Sequence, residues 1–317
     1  MATENKKGFR GPTAIAVGSR NGPGRKKRLR FPLAPFVLLI PWFIGLAVFR
    51  AYPIFRSLYL SFSNFSLLDA YPRFIGWDNY VRMFTNDRIF NASVIATLRY
   101  VFLGTPAVLV VAFFIAYVLN FKLKGVNLFR TVYYIPSILG GNVAVAILWT
   151  QMFRTNGLVN AALSIFGIEP ILWLRSETFA PFVLIMLSAW QFGSTMLIFL
   201  AGLQNVSPSL YEAAAMDGAK KHQMLFRITI PIISPVLLFN TINVMLRHFQ
   251  EFNAAFLITG GGPFNSTLFM NVYIYQRSFA ELDFGYGSAL TWVLLSGIGV
   301  ITLVLWLTSK FWVHYSD

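Results

Sequence analysis

Six stretches of this chain are apolar for long enough to cross a lipid bilayer, which limits the fold more than any other feature. A helix needs roughly 20 apolar residues to span a hydrocarbon core of about 30 Å, with every backbone amide satisfied inside the segment. Windows of that kind lie near 33–55, 94–120, 131–152, 179–203, 233–257 and 287–309. A transmembrane barrel would instead show alternating strands of about ten residues. Of 317 residues, 56% are hydrophobic and only 12% charged, about half the charged fraction of a soluble domain. The reading is an all-α polytopic membrane protein with six transmembrane helices.

Cysteine is absent, so neither a disulfide nor a thiolate metal site is open to the chain. The first apolar run follows a basic tail as in a signal peptide, but it is too long and lacks a small-residue cleavage pattern, so it reads as an uncleaved anchor. Orientation follows from lysine and arginine placement. With the N-terminus inside, residues 1–32, 121–130, 205–231 and the C-terminal end hold 16 of the 26 basic residues. The outer segments hold seven basic and seven acidic residues, the acids running from Asp69 to Asp283, so that side is near neutral. Both termini are therefore expected in the cytoplasm. Residues 1–32, with Lys6, Lys7, Arg10, Arg20, Arg25, Lys26, Lys27 and Arg28, form a Gly- and Pro-rich tail expected to be disordered. Beside a first helix, such a tail sets topology and touches anionic lipid more readily than it binds nucleic acid. The organisation is thus a basic tail over 1–32, a six-helix domain over 33–310 and a short cytoplasmic tail over 311–317.

Between the fourth and fifth apolar windows lies a polar insertion, "YEAAAMDGAKKHQMLFRITIPIISP", residues 211–235. Ser207 followed by Pro208 suits an N-cap and first turn, and Ser209 to Glu212 has capping-box spacing. A short helix through "SLYEAAAMD" follows, ended or bent at Gly218, since glycine turns a helix at the least steric cost. In a second short helix, Met224, Leu225 and Ile228 can pack on one face while Lys220, Lys221 and Arg227 stay wet. Pro231 and Pro235 then open the next transmembrane helix. The result is an elbow over 207–228 pointing into the cytoplasm.

The series Glu212-Ala213-Ala214, Asp217-Gly218-Ala219, Phe226, Ile228, Pro231 and Pro235 resembles the EAA loop of binding-protein-dependent ABC importers. "FIGWDNYVRMF" (74–84), "NGLVN" (156–160) and "ITGGGPFNST" (258–267) resemble segments of the carbohydrate-uptake permeases, the branch that includes the maltose permeases. The resemblance implies a permease subunit of the bacterial inner membrane, forming half of a passage with a second homologous permease. It also implies two cytoplasmic ATPase subunits, an external solute-binding protein and a sugar or oligosaccharide substrate. In that family the loop is a coupling helix docked on the ATPase, which assigns ATPase coupling to Glu212, Ala213, Ala214, Asp217 and Gly218. Relatives that move other small solutes, such as glycerol phosphates, leave the substrate open.

Polar groups inside hydrocarbon are costly and usually face the bundle interior or a water-filled cavity. "RHFQEFN" (247–253) and "WQFGST" (190–195) stand out on that ground. The candidate passage lining is Phe249, Gln250, Glu251, Phe252 and Asn253, with Trp190, Gln191 and Ser194. Amides and carboxylates suit sugar hydroxyls, and aromatic rings suit the C–H faces of a pyranose. Arg247 and Glu251, four apart, can instead form an ion pair along one helix face. "SILGGN" (137–142) reads as a close-packing segment.

Outside, Trp77, Tyr80 and Phe84 lie near helical spacing in a segment that belongs at the membrane surface; with "GGGPFNST" it forms either a landing surface for a delivering protein or a plain interfacial anchor. There is no G-x-x-x-x-G-K-[ST], and "GGGP" lacks the lysine of a phosphate loop, so ATP is expected on another chain. Three histidines without an H-E-x-x-H pattern offer no metal or nucleophile constellation; neither catalytic residues, metal nor cofactor are expected. An ion-coupled secondary transporter would show internal repeats and intramembrane acids, of which only Glu251 is a candidate.

Overall fold

A computed structural model describes residues 33–68, 71–121 and 125–314; the basic tail expected over 1–32 and the last residues of the C-terminal tail lie outside them. The chain divides into two compact units, residues 1–51 and 52–317. The described part of the first is α1 (Leu33–Leu46) and a π-helical turn (Ala47–Ala51).

The second unit is a helical bundle. It contains α2 (Tyr52–Ser61), a two-strand antiparallel pair β1 (Ser63–Asn64) and β2 (Arg73–Phe74), α3 (Asp78–Thr85), α4 (Arg88–Asn120), α5 (Val126–Leu139), α6 (Val143–Met152) and α7 (Leu158–Ser164). There follow α8 (Phe179–Trp190), α9 (Gly193–Gln204), α10 (Pro208–Met216), α11 (Lys221–Met224), α12 (Ile230–Ile232), α13 (Ser234–Phe249), α14 (Met270–Tyr275) and α15 (Phe284–Ser309). Unbroken helices long and apolar enough to cross a membrane are Leu38–Ser61, Arg88–Asn120 and Phe284–Ser309. Three more candidates are bent pairs: α5 with α6 at 99°, α8 with α9 at 48°, and Lys221–Ile232 with α13 at 70°. Counting each pair as one gives up to six.

The breaks correct the continuous windows read from sequence. The stretch 131–152 is interrupted at Gly140–Asn142, where Gly141 adopts φ +76° and the Asn142 side chain accepts the Ala144 N–H at 3.0 Å to start α6. The stretch 179–203 breaks at Gln191–Phe192. The stretch 233–257 ends as a helix at Phe249 and resumes as a short helical segment at Asn253. Hydropathy registers whether a residue is apolar, not whether its backbone stays helical, so these interruptions leave no trace in it.

Packing is organised along α4. Its first half, with Phe90, Ala96 and Tyr100, joins a core with Leu184, Ala255, Phe269, Tyr273, Tyr286 and Leu290. Its last half, with Ala112, Ala116 and Leu119, joins a second core with Met196, Phe199, Leu200, Leu203 and Ile233. Small residues bring the helices close, as between membrane helices generally. A Cβ on Gly202 would lie 3.0 Å from Val236, and one on Gly193 would lie 2.7 Å from the Tyr133 carbonyl oxygen. The level of α4 between the two cores carries the cavity described next.

Candidate functional site

The elbow is built almost wholly by local backbone rules. Ser207 takes the extended N-cap conformation (φ −61°, ψ 128°) with Pro208 in the first turn, where proline's missing N–H is harmless. The Ser207 hydroxyl bonds Ser209 Oγ at 2.8 Å rather than capping a backbone amide. Because the helix already begins at Pro208, Ser209 is inside it, and the capping-box role expected from Ser209–Glu212 spacing is not realised. At the other end Gly218 has φ +75°. Its N–H reaches the Ala215 carbonyl at 3.0 Å and the Ala219 N–H reaches that of Ala214 at 2.9 Å, the paired bonds of a Schellman cap. The next helix starts with the Lys220 N–H donating to Gln223 Oε1 at 2.7 Å. Tyr211 and Thr229 hydroxyls, 2.8 Å apart, tie the two arms together.

Of the predicted coupling residues, Glu212, Ala213, Asp217 and Gly218 are exposed and Ala214 is half-buried. Met224, Leu225 and Ile228 are half-buried and Lys220, Lys221 and Arg227 exposed, as their pattern predicts. The surface also carries exposed large apolar side chains, Met216 at 89%, Phe226 at 65% and, less fully, Leu210. Met216 lies outside the sequence prediction, since a methionine after three alanines reads as one more helix former.

From the elbow α13 runs 16 residues to a cavity, about 24 Å at the rise of an α-helix. The cavity holds about 700 Å³ counting its open mouth and is lined by Tyr100, Asn142, Ser188, Gln191, Arg247, His248, Glu251 and Asn253, among others. Helix irregularities meet here: Gly141 and Asn142 come from the α5–α6 break, Ser188 and Gln191 from the end of α8, Arg247 and His248 from the last turn of α13, and Glu251 and Asn253 from the break after it. In α4 the same level holds Pro106, which interrupts the helical hydrogen bonding. Non-helical backbone at membrane depth is tolerated where it lines a cavity, so the breaks and the cavity explain each other.

The expected lining is brought together only in part. Gln191, Glu251 and Asn253 line the cavity. Phe249 is buried in a separate cluster with Val101 and Met245, and Gln250 is an exposed helix C-cap. Phe252 stacks on Phe256 at 5.0 Å and packs on Tyr275, Trp190 lies against Trp149, and the Ser194 N–H donates to Ser137 Oγ at 3.1 Å. The Arg247–Glu251 ion pair does not form among the described residues. The helix ends between the two: Arg247 donates to Thr195 Oγ1 at 2.9 Å, and Glu251 Oε1 accepts the Ala254 N–H at 2.8 Å, capping the next helical segment. "SILGGN" does pack closely, with Ser137 donating to the Gln191 carbonyl at 2.9 Å, yet its Gly141 and Asn142 also line the cavity. Tyr100 and Ser188 lie outside the expected lining because a lone polar residue in an apolar run carries no spacing signal; His248 lies within "RHFQEFN" but outside the residues assigned to the lining.

A second polar cluster joins α3, α4, α14 and α15. Asp87 Oδ1 accepts the Ile89 and Phe90 N–H groups at 2.9 and 3.0 Å, and Oδ2 accepts the hydroxyls of Tyr273 and Tyr286. Arg277 donates to Tyr273 at 2.8 Å and pairs with Glu281, while Arg82 pairs with Asp283 at 3.3 Å over the Tyr286 ring. Partial burial opposes the Asp87 charge, but the two tyrosine hydroxyls, the Phe90 amide and the Arg277 charge prevail and hold its carboxyl below the ordinary value. Burial first, and then the bond to Asp87, pushes Tyr273 up to about 12. Trp77, Tyr80 and Phe84 are nearby on and beside α3, Trp77 edge-on to Phe62 at 5.0 Å and largely exposed.

Residues 92–317 match the family described as binding-protein-dependent transport system inner membrane component. The chain is 45% identical over 288 residues to the probable ABC transporter permease protein YesP of Bacillus subtilis (strain 168), covering 90% of this chain and 93% of that one. It is 34% identical to the lactose transport system permease protein LacF of Rhizobium radiobacter, covering 86% and 90%. Its fold is shared, at a TM-score of 0.73 and 22% identity over 87% of this chain and 94% of the other, with a chain of a bacterial alginate ABC transporter solved in complex with alginate pentasaccharide-bound periplasmic protein. The chain belongs to the family of binding-protein-dependent transport system inner membrane components.

Proposed function

We propose that the chain is a permease subunit of an ATP-driven importer for a sugar or oligosaccharide, with six transmembrane helices and both termini in the cytoplasm. It forms half of the passage with a second, homologous permease. Two ATPase subunits sit beneath, and an external solute-binding protein delivers the substrate. The membrane is the bacterial inner membrane, and residues 33–310 form the permease domain.

One observation carries this reading: a bent helix pair, Lys221–Ile232 with α13, leads from an exposed elbow to a polar cavity where three interrupted spans converge. The elbow offers an acidic helix turn, small alanines and the unpartnered Met216 and Phe226, features of a surface that a partner covers. The cavity offers amides from Asn142, Gln191 and Asn253, the Ser188 and Tyr100 hydroxyls, and one charge of each sign. That donor and acceptor set suits a polyhydroxylated solute, and the sugar-transport name of LacF supports it. The residues assigned to the passage are Gln191, Glu251 and Asn253 on its wall, with Phe252 beside it.

Alternating access needs ligand contacts that differ between two states. In this reading ATP-driven closure moves the elbow, and α13 carries the movement to the cavity. The test is purification of the tagged chain from its native membrane in mild detergent, mass spectrometry of what accompanies it, and ATP-dependent uptake with neutral oligosaccharides and anionic solutes as separate arms. Co-purification of a P-loop ATPase and a second permease, with uptake of a neutral sugar, is expected. A chain that emerges alone, with uptake driven by an ion gradient, contradicts the reading. Uptake confined to anionic solutes such as a glycerol phosphate keeps the importer and removes the sugar, and Arg247 would then be the residue to examine.

A further inference from the structure

His248 is 4% exposed and has both ring nitrogens engaged. Nδ1 lies 2.9 Å from Thr105 Oγ1 on α4, and Nε2 lies 2.5 Å from Ser188 Oγ on α8. The ring packs edge-on to Tyr100 at 4.8 Å. Gly104 makes the room: a Cβ there would lie 3.1 Å from His248 Cε1. One imidazole therefore binds three helices at the cavity level, one residue before the end of α13. Its sequence neighbours are Arg247, which reaches Thr195 on α9, and Phe249, which is buried in the core of α4 and α15.

The position is mechanically specific. α13 is reached from the elbow through the segment ending at Ile232 and a 70° bend, and its far end is followed at once by the cavity wall of Glu251 and Asn253. A helix moved at one end displaces what is fixed at the other only if that end is tied. A buried side-chain network is a strong tie, because leaving a buried donor or acceptor unmade costs its full desolvation. Backbone hydrogen bonds of a helix run within that helix, so the ties between α4, α8 and α13 at this level are made by side chains.

We propose that His248 is a positioning residue: it pins the far end of α13 to α4 and α8, so that movement of the elbow reaches the cavity wall. The proposal rests on the importer reading above and adds to it the residue through which elbow and cavity are coupled. The role requires neither contact with the solute nor a change in its own protonation, although the ring also borders the cavity.

The chain lacks cysteine, so one introduced thiol reports one place. In the assembled transporter, Asn253→Cys reports the cavity and Met216→Cys the elbow, each read as the rate of reaction with a charged thiol reagent, without nucleotide and with ATP and vanadate. With His248 present, nucleotide is expected to change the rate at 253 by roughly threefold or more, the scale of measured coupling energies, while the ATPase shields 216. In His248→Leu, and in the Thr105→Val/Ser188→Ala double variant that keeps the ring, the response at 253 is lost and 216 stays shielded. A merely structural role would lower assembly or melting temperature and leave the response at 253 intact in whatever assembles. Survival of that response in the double variant overturns the pin, and so does its absence in the transporter that keeps His248, Thr105 and Ser188. Failure of 216 to be shielded at all removes the elbow reading, and the pin with it, whereas a shielded 216 with a surviving response at 253 removes the pin alone.

Discussion

The elbow and the cavity are made in opposite ways. Residues 207–229 are contiguous, largely exposed and held by caps and turns whose backbone bonds join residues a few positions apart. The cavity draws its wall from Tyr100 to Leu257, and its ties are side-chain bonds across helices, such as Thr105 to His248 and Thr195 to Arg247. A locally closed segment can present a fixed surface to a partner without help from the rest of the fold. A wall assembled from broken helices can change shape when one helix moves. The difference suits the two parts to docking and to gating.

Substitutions should separate the two regions, with the largest effects at the elbow. Gly218→Pro places a ring with φ near −65° where the chain needs +75° and removes the N–H that reaches Ala215, costing about 3 kcal/mol or more locally. Uptake should fall to background in Gly218→Pro and in the charge reversal Glu212→Lys, while membrane insertion, read by protease protection, stays normal. Normal uptake by both would erase the distinction between the regions.

Cavity changes should be graded instead of complete. Glu251→Ala removes the cap on Ala254 and one carboxylate from the wall; at about 1 kcal/mol for a lost cap, uptake should fall roughly five- to tenfold at 1.4 kcal/mol per decade. Phe252→Ala loses its stack on Phe256 and its contact with Tyr275 and should shift solute preference by a similar or smaller factor. In both, the ATPase should remain bound in pull-down, and its release would assign these residues to the elbow's task.

The cluster around Asp87 belongs to neither region and should govern stability alone. Its carboxyl pKa is held below the ordinary value, so the stabilisation is complete above the unfolded value of about 3.9 and is lost as pH falls through the lower folded value. The melting temperature of the purified transporter should therefore drop on acidification below about pH 4, and Asp87→Asn should flatten that drop and lower melting at neutral pH by a few degrees. The smallest effect is expected at Trp77, which is 66% exposed: Trp77→Ala should alter stability by no more than about 0.5 kcal/mol, measured by thermal melting. A larger loss would make the α3 face part of the fold's core.

How much of this was legible in the sequence follows the same division. The elbow was, because a serine–proline start, a glycine stop and flanking prolines act on the residues beside them; the one misreading, the Ser209–Glu212 box, came from a helix starting two residues earlier than that spacing assumed. Gln191, Glu251 and Asn253 were legible as polar groups in apolar runs. Phe249 and Gln250 were not separable from them, since which side of a helix end faces a cavity depends on where the helix stops. His248, Ser188 and Thr105 form one network from positions 143 and 60 residues apart, and nothing local in the chain announces such a meeting. The helix breaks escaped for the same reason, the one at Gly140–Gly141 included: its small residues read as close packing, and they serve packing and turning at once.

The account turns on the elbow meeting an ATPase, and one measurement addresses it directly. In the native membrane, Ala213→Cys and, separately, Phe264→Cys, on the exposed loop at the other end of the bundle, are labelled with a thiol-linked photo-crosslinker, and the adducts are identified by mass spectrometry. The expected result is a P-loop ATPase joined to position 213 and absent from 264. A chain that crosslinks to no ATPase at 213, or equally from both positions, would contradict it.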